Sequence, residues 1–142
     1  MEQDINVRNI KNDNDEIINK WWWGHGETPP LLKQLPDNGL GGFIAEKGKE
    51  KKLIAVGYLY LTNSNIAYID AAISNPDYKG RDRYIIGVMI INELLRKASS
   101  LGYETVETTT FREGLIKRYK KMGWEVSKDK YNVITKHLNN VR

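Results

Sequence analysis

The spacing of apolar positions changes twice along the chain. In "DINVRNI", Ile5, Val7 and Ile10 stand between polar residues and predict a short first strand. "NDNDEIINKWWW" then places Ile17, Ile18, Trp21 and Trp22 at helical spacing, behind Asn12 or Asn14 as N-cap and acids in the first turn; Gly24 and Gly26 end that helix. "ETPPLLKQLP" predicts a short second helix that opens on prolines and closes at Pro36, ahead of the turn cluster "DNGLGG".

From Gly42 the period becomes two. "GFIAEKGKEKKLIAVGYLYLT" reads as a hairpin turning at Lys47-Gly48-Lys49-Glu50, and after "NSN" the segment "IAYIDAAIS" adds a third strand, so residues 42–74 form an antiparallel meander that Pro76 ends. The helical period returns with Ile85, Ile86, Val88, Met89, Leu94, Leu95, Ala98 and Leu101, and Gly102 stops the helix. "YETVETTT" alternates as a strand. "FREGLIKRYKKMGW" is an amphipathic helix with Leu115, Ile116, Tyr119 and Met122 on one face, and "WEVSKDKYNVITKHL" predicts a closing strand pair. A helix joining the meander to "ETVETTT" is a crossover, which makes the strands it joins parallel neighbours. The predicted fold is α/β: a mixed, mostly antiparallel twisted sheet with helices on both faces, in the order β-α-α-β-β-β-α-β-α-β-β.

Composition narrows the class. A chain of 142 residues, 40% hydrophobic, suffices for one domain over residues 1–142. It has no cysteine, hence no thiolate metal site and no catalytic thiol, and a reducing cytoplasm suits it. No metal is expected. The polar, acidic N-terminal stretch and the lack of a long apolar run predict neither export nor membrane insertion. The net charge of +4 is uneven: residues 1–70 carry 8 Lys/Arg against 10 Asp/Glu, and residues 71–142 carry 14 against 8. A basic half serves either nucleic acid or a phosphorylated small molecule. The run Lys117, Arg118, Lys120, Lys121 also reads as a solvated helix face.

The stretch "SNPDYKGRDRYIIGVMIINELL" places Lys79, Arg81 and Arg83 before a long helix, whose N-terminus carries unpaired N–H groups and the positive end of a dipole. It follows the end of a strand, where open α/β sheets bind ligands. Asp82 reads either as part of this anion loop or as a plain N-cap.

The order of elements, with "NPDYKG" before the long helix, "ASSLGYETVETTT" after it and "RYKKMGWEV" with its Tyr-x-x-x-Gly-aromatic spacing, resembles the GNAT superfamily of acyl-CoA-dependent N-acyltransferases from Ile5 to Leu138. The family's phosphate loop, Arg/Gln-x-x-Gly-x-Gly/Ala, is matched imperfectly by "KGRDRYIIG": with Arg83 at the basic position, Ile86 and Val88 fill the small positions. Gly80 is the one glycine at the loop tip. Small phage proteins of this type share such loops.

The resemblance implies acetyl transfer from acetyl-CoA to an amine by direct attack in a ternary complex. It implies that Lys79, Gly80, Arg81, Asp82, Arg83 and Tyr84 hold the diphosphate and that backbone N–H groups near Ala72 and Ile73 hold the thioester carbonyl and pantetheine arm. Tyr119 matches the tyrosine that protonates the departing thiolate, or is a core tyrosine with its hydroxyl at the surface. Asp70, the only acid in "IAYIDAAIS", is either a general base or a solvent-facing carboxylate. Trp22, Trp23, His25 and Glu27 lie in the arm that shapes the acceptor site in this family, and they either line that site or cap the sheet. His137 reads as structural. The last strands are where family members pair, which allows a homodimer. Two other readings stand beside the enzyme: a non-catalytic protein of this fold that binds nucleic acid or a protein partner, and a related enzyme that modifies nucleobases.

Overall fold

The computed structural model describes residues 4–110, 112–129 and 131–138. It divides into two compact units, Met1–Thr108 and Thr109–Arg142. The first contains β1 (Ile5–Asn9), α1 (Asp15–Gly24), β2 (Gly42–Lys47), β3 (Lys52–Tyr60), β4 (Ile66–Ser74), α2 (Arg83–Ser100) and β5 (Thr105–Glu107). The strands form one sheet in the order β1-β2-β3-β4-β5, antiparallel except for the parallel pair β4–β5, the geometry that a helical crossover requires.

The two helices cover opposite faces of the sheet. Ile86, Ile90, Ile91, Leu94 and Ala98 form the buried stripe of α2. It packs over Gly57, where a Cβ would stand 3.2 Å from both Ile90 and Leu94. Gly102, at φ +92°, takes the left-handed conformation that ends α2, and the Tyr103 N–H closes the motif on the Ala98 carbonyl at 3.1 Å. On the other face, Ile18 and Trp21 of α1 join Ile10, Leu35, Ile44, Val56, Tyr58 and Ile73 in one cluster. Asn14 anchors the start of α1: its Oδ1 accepts from the Lys11 N–H at 2.9 Å and from Arg8 at 3.3 Å. Arg8 also pairs with Glu46 at 2.9 Å, and its hydrogen bond holds that buried carboxyl below the usual range.

Tyr58, 2% exposed, has its phenol pushed up to about 12 by burial and by the charge of Asp15. The unfolded chain therefore loses this proton at a lower pH than the folded one, and stability falls as pH rises from about 10 toward 12. Thermal unfolding at a series of pH values across that window is expected to show the loss, and Tyr58→Phe to make it shallower.

The structure departs from the sequence pattern in two places. The helix expected in "ETPPLLKQLP" is instead a pair of 3-10 turns, Leu32–Gln34 and Pro36–Gly39. Pro30 and Pro36 leave too few N–H groups for an α-helical ladder, and Asp37 and Asn38 turn the chain at φ 50° and 53°. The closing strand pair also does not form among residues 124–129 and 131–138; Lys130 of that segment lies outside the described residues. A two-stranded hairpin alone is marginal in water. Val133 and Ile134 are consecutive, so no strand can bury both on one face, and they are 93% and 92% exposed.

The second unit holds α3 (Glu113–Lys121). Gly123, at φ +91°, ends this helix. The Trp124 N–H returns to the Tyr119 carbonyl at 3.0 Å, and the Tyr119 and Trp124 rings meet with centroids 4.6 Å apart. The Tyr-x-x-x-Gly-aromatic spacing is thus what a left-handed helix cap with its apolar clasp demands.

No helix among the described residues is long and apolar enough to cross a membrane.

Candidate functional site

The residues expected to form the site lie along β4 and the loop that follows it, beyond a short parallel pairing with β5. Parallel pairing covers Ile66–Tyr68 against Thr105–Glu107 and goes no further, although β4 runs on to Ser74. Beyond it, Thr108 Oγ1 donates to the Ile69 carbonyl at 2.7 Å. From Ile69 to Ser74 the ladder partner of β4 is β3.

The exposed edge carries a bulge. Val56 faces Ile73 and Tyr58 faces Asp70, so Ala71 and Ala72 together oppose the single residue Gly57. Ala71 adopts φ +57°, and the Asp70 carboxylate accepts the Ala71 N–H at 2.7 Å. A bulge of this kind re-aims backbone N–H groups away from the ladder. The small side chains of Ala71 and Ala72 leave the backbone accessible there. Ala72 is exposed and Ile73 buried, so the two residues expected to hold a carbonyl sit at the bulge, one on each face.

Asp70 lies in the same bulge, exposed, on the face of Tyr58. Its charge adds to burial in raising the Tyr60 phenol above its ordinary value. Tyr60 donates to the Gln34 carbonyl at 3.4 Å, tying the loop after α1 to this face, and Tyr68 is its register partner on β4. One acidic group therefore stands among tyrosines on the face that α1 covers.

The arm reaches the far end of β4. His25 caps the C-terminus of α1 and its Nε2 lies 2.8 Å from the Ser74 carbonyl. A Cβ at Gly24 would stand 2.7 Å from Pro76, so α1 abuts the start of the loop that leads into α2. The three tryptophans divide as helical geometry requires: Trp21 is 3% exposed, Trp22 half-buried and Trp23 61% exposed. Glu27 is exposed just beyond the helix.

The loop is built from its own polar groups. The Asn75 side chain accepts the Asp77 N–H at 2.9 Å and donates to the Leu53 carbonyl at 3.2 Å, which fixes the turn to β3. Lys79, Arg81, Arg83 and Tyr84 are exposed around the first turn of α2. Asp82 occupies the N-cap position but makes no capping bond; it accepts from Lys47 at 2.7 Å and from Tyr78. Its hydrogen bond to Lys47, then that to Tyr78, holds the carboxyl below its usual range, and the Lys47 ammonium is correspondingly raised. Gly80 lies beneath this knot, where a Cβ would stand 2.2 Å from the Tyr78 hydroxyl. The loop glycine therefore makes room for Tyr78.

The fold thus places Asp70, Ala72, Ile73, His25 and the loop 79–84 along the second half of one strand and at its C-terminal end. Tyr119 lies half-buried in the second unit, against Trp124. The sequence reading missed Lys47 and Tyr78. Lys47 was assigned to a hairpin turn, and nothing local in a chain ties it to a residue 35 positions later. The pair of alanines after Asp70 was the only local sign of the bulge.

No protein-family model matches the chain, and no curated protein matches it. Solved structures do. A Mycobacterium tuberculosis protein in complex with CoA superposes with a TM-score of 0.69 at 19% identity, over 89% of this chain and 76% of its own. A GNAT-family acetyltransferase from Streptococcus pneumoniae gives 0.64 at 18% identity over 94% and 98%. A predicted acetyltransferase from Clostridium acetobutylicum, solved with acetyl-CoA, gives 0.64 at 13% identity over 92% and 96%. The fold of this chain is the GNAT acetyltransferase fold.

Proposed function

We propose that the protein is an N-acetyltransferase that moves the acetyl group of acetyl-CoA to an amine. The observation that carries this reading is the β4 bulge at Ala71–Ala72, which lies beyond the short parallel pairing with β5 and leads, within one short loop, to the basic head of a helix. A thioester ending in a diphosphate needs those two features in that order: backbone donors for the carbonyl and a helix N-terminus with cations for the phosphates. Arg81 and Arg83 supply cations, and the backbone of residues 81–84 supplies N–H groups. Lys79, Gly80 and Tyr84 shape the loop around them.

The chemistry needs no covalent enzyme intermediate. The amine arrives as an ammonium and gives a proton to Asp70, directly or through water, with His25 as the second candidate base. Its lone pair forms the C–N bond at the thioester carbonyl, whose oxygen accepts from backbone N–H groups near Ala72 and Ile73. The C–S bond breaks, Tyr119 gives its proton to the departing thiolate, and the second proton that the nitrogen sheds as the amide forms restores the phenol through water. Trp22, Trp23 and Glu27 line the acceptor side, a surface that favours cationic or planar amines. The test is release of free CoA thiol from acetyl-CoA over a panel of polyamines, aminoglycosides and lysine peptides. Turnover that requires both acetyl-CoA and one amine class supports the reading; no thiol release with any of them counts against it.

One observation favours a second reading. Residues 47–52 and 77–83, joined in space by Lys47, Tyr78 and Asp82, carry seven Lys/Arg against three Asp/Glu. A non-catalytic protein of this fold could use that face for nucleic acid, and such binding would weaken steeply with salt.

A further inference from the structure

Asp82 sits where a short acidic side chain ordinarily turns back to accept from the first N–H groups of its helix. It does not do so. Its Oδ2 accepts from Lys47 Nζ at 2.7 Å and its Oδ1 from the Tyr78 hydroxyl, while Lys47 also donates to that hydroxyl at 3.0 Å. The Lys47 ammonium lies 5.6 Å from the centroid of the Tyr78 ring. The Asp82 side chain is 15% exposed and that of Lys47 31%, so the pair is less screened than one fully in water. Gly80 is shaped to this arrangement: a Cβ there would stand 2.7 Å from Asp82 Oδ1 as well as against Tyr78.

A carboxylate free to swing onto the first turn of α2 would occupy the N–H groups that an anion needs and would repel that anion. Lys47 draws the carboxylate toward the β2–β3 hairpin instead. We propose that Lys47 is a positioning residue which, with Tyr78, holds the Asp82 carboxylate off the N-terminus of α2 and so keeps that helix head open to the diphosphate of acetyl-CoA. The inference rests on the acetyl-CoA reading. It also accounts for an acidic residue in the middle of a loop built to receive an anion: the charge is balanced by a cation from a different strand.

The test is calorimetric titration of acetyl-CoA into the wild-type chain, Lys47→Met, Lys47→Arg and the double variant Lys47→Met/Asp82→Asn, with the Tm of each measured without ligand. Freeing one carboxylate beside the diphosphate is expected to weaken binding about tenfold in Lys47→Met. Lys47→Arg is expected to stay within about threefold of wild type, since the charge is kept. Neutralising the carboxylate in the double variant is expected to restore most of the affinity, a result that loss of folding cannot produce. Unchanged affinity in Lys47→Met overturns the inference. So does a double variant as weak as Lys47→Met, because Lys47 would then act on the ligand itself or on the folding of the loop. Absence of binding by the wild-type chain overturns the acetyl-CoA reading, and this inference with it.

Discussion

Tyr119→Phe is expected to lower the rate of acetyl transfer by about 10²- to 10⁴-fold, the range spanned by loss of one positioned proton donor. Acetyl-CoA affinity is expected to change little, because the proton is needed only as the C–S bond breaks. The substitution separates the proton-donor role proposed for Tyr119 from its place in the helix cap. Phe keeps the ring that packs on Trp124 and leaves untouched the backbone bond from Trp124 to residue 119, so the helix cap should survive. A variant with wild-type Tm and sharply reduced turnover assigns the hydroxyl to chemistry. A variant with wild-type turnover would leave Tyr119 as the clasp of a helix terminus and nothing more. Steady-state kinetics at saturating acetyl-CoA, with a melting curve of the same sample, decide between them.

Trp21→Ala is expected to cost about 3–5 kcal/mol of stability, the range for truncating a large buried aromatic, and to lower Tm by roughly 10 °C or more. Trp21 is 3% exposed and packs in the cluster with Ile10, Ile18, Ile44, Tyr58 and Ile73. Trp23, two residues on and 61% exposed, provides the internal contrast. Trp23→Ala is expected to stay within about 0.5 kcal/mol of wild type, as surface changes generally do, and to act instead on KM for the amine. Denaturant unfolding of the two variants tests the division of the tryptophan run into a structural and a ligand-facing part. Equal losses would contradict it.

The meander, the long helix and the parallel partner of β4 were legible in the sequence because each is stated locally, by a period of two, a period of 3.6 or a crossover length. Gly102 and Gly123 marked helix ends for the same reason, since each takes a backbone conformation that other residues rarely adopt. What was not legible depends on partners distant in the chain. The segment after Trp124 alternates well enough to suggest strands, but an alternating segment becomes a strand only when another strand accepts it. The prolines of "ETPPLLKQLP" marked a helix start, yet their closeness to Pro36 left only 3-10 turns.

The site divides in the same way. Lys79, Arg81 and Arg83 mark a basic loop ahead of a helix by composition and position. The role of Asp82 could not be read locally, because its carboxylate is held by Lys47, 35 residues upstream. Gly80, the one glycine at the loop tip, also leaves the space that Tyr78 needs. The bulge at Ala71–Ala72 arises from two residues facing one on β3, a register event that only the paired strands reveal.

The central claim is that the head of α2 and the loop before it bind acetyl-CoA. Its most direct measurement is thermal unfolding of the chain with acetyl-CoA, CoA and a matched phosphate control, repeated for the Arg81→Ala/Arg83→Ala variant. Acetyl-CoA at about 100 times its Kd is expected to add about 2.7 kcal/mol to the wild type, a clear rise in Tm that phosphate does not reproduce and the double variant loses. A wild-type Tm that does not move at millimolar acetyl-CoA would contradict the account.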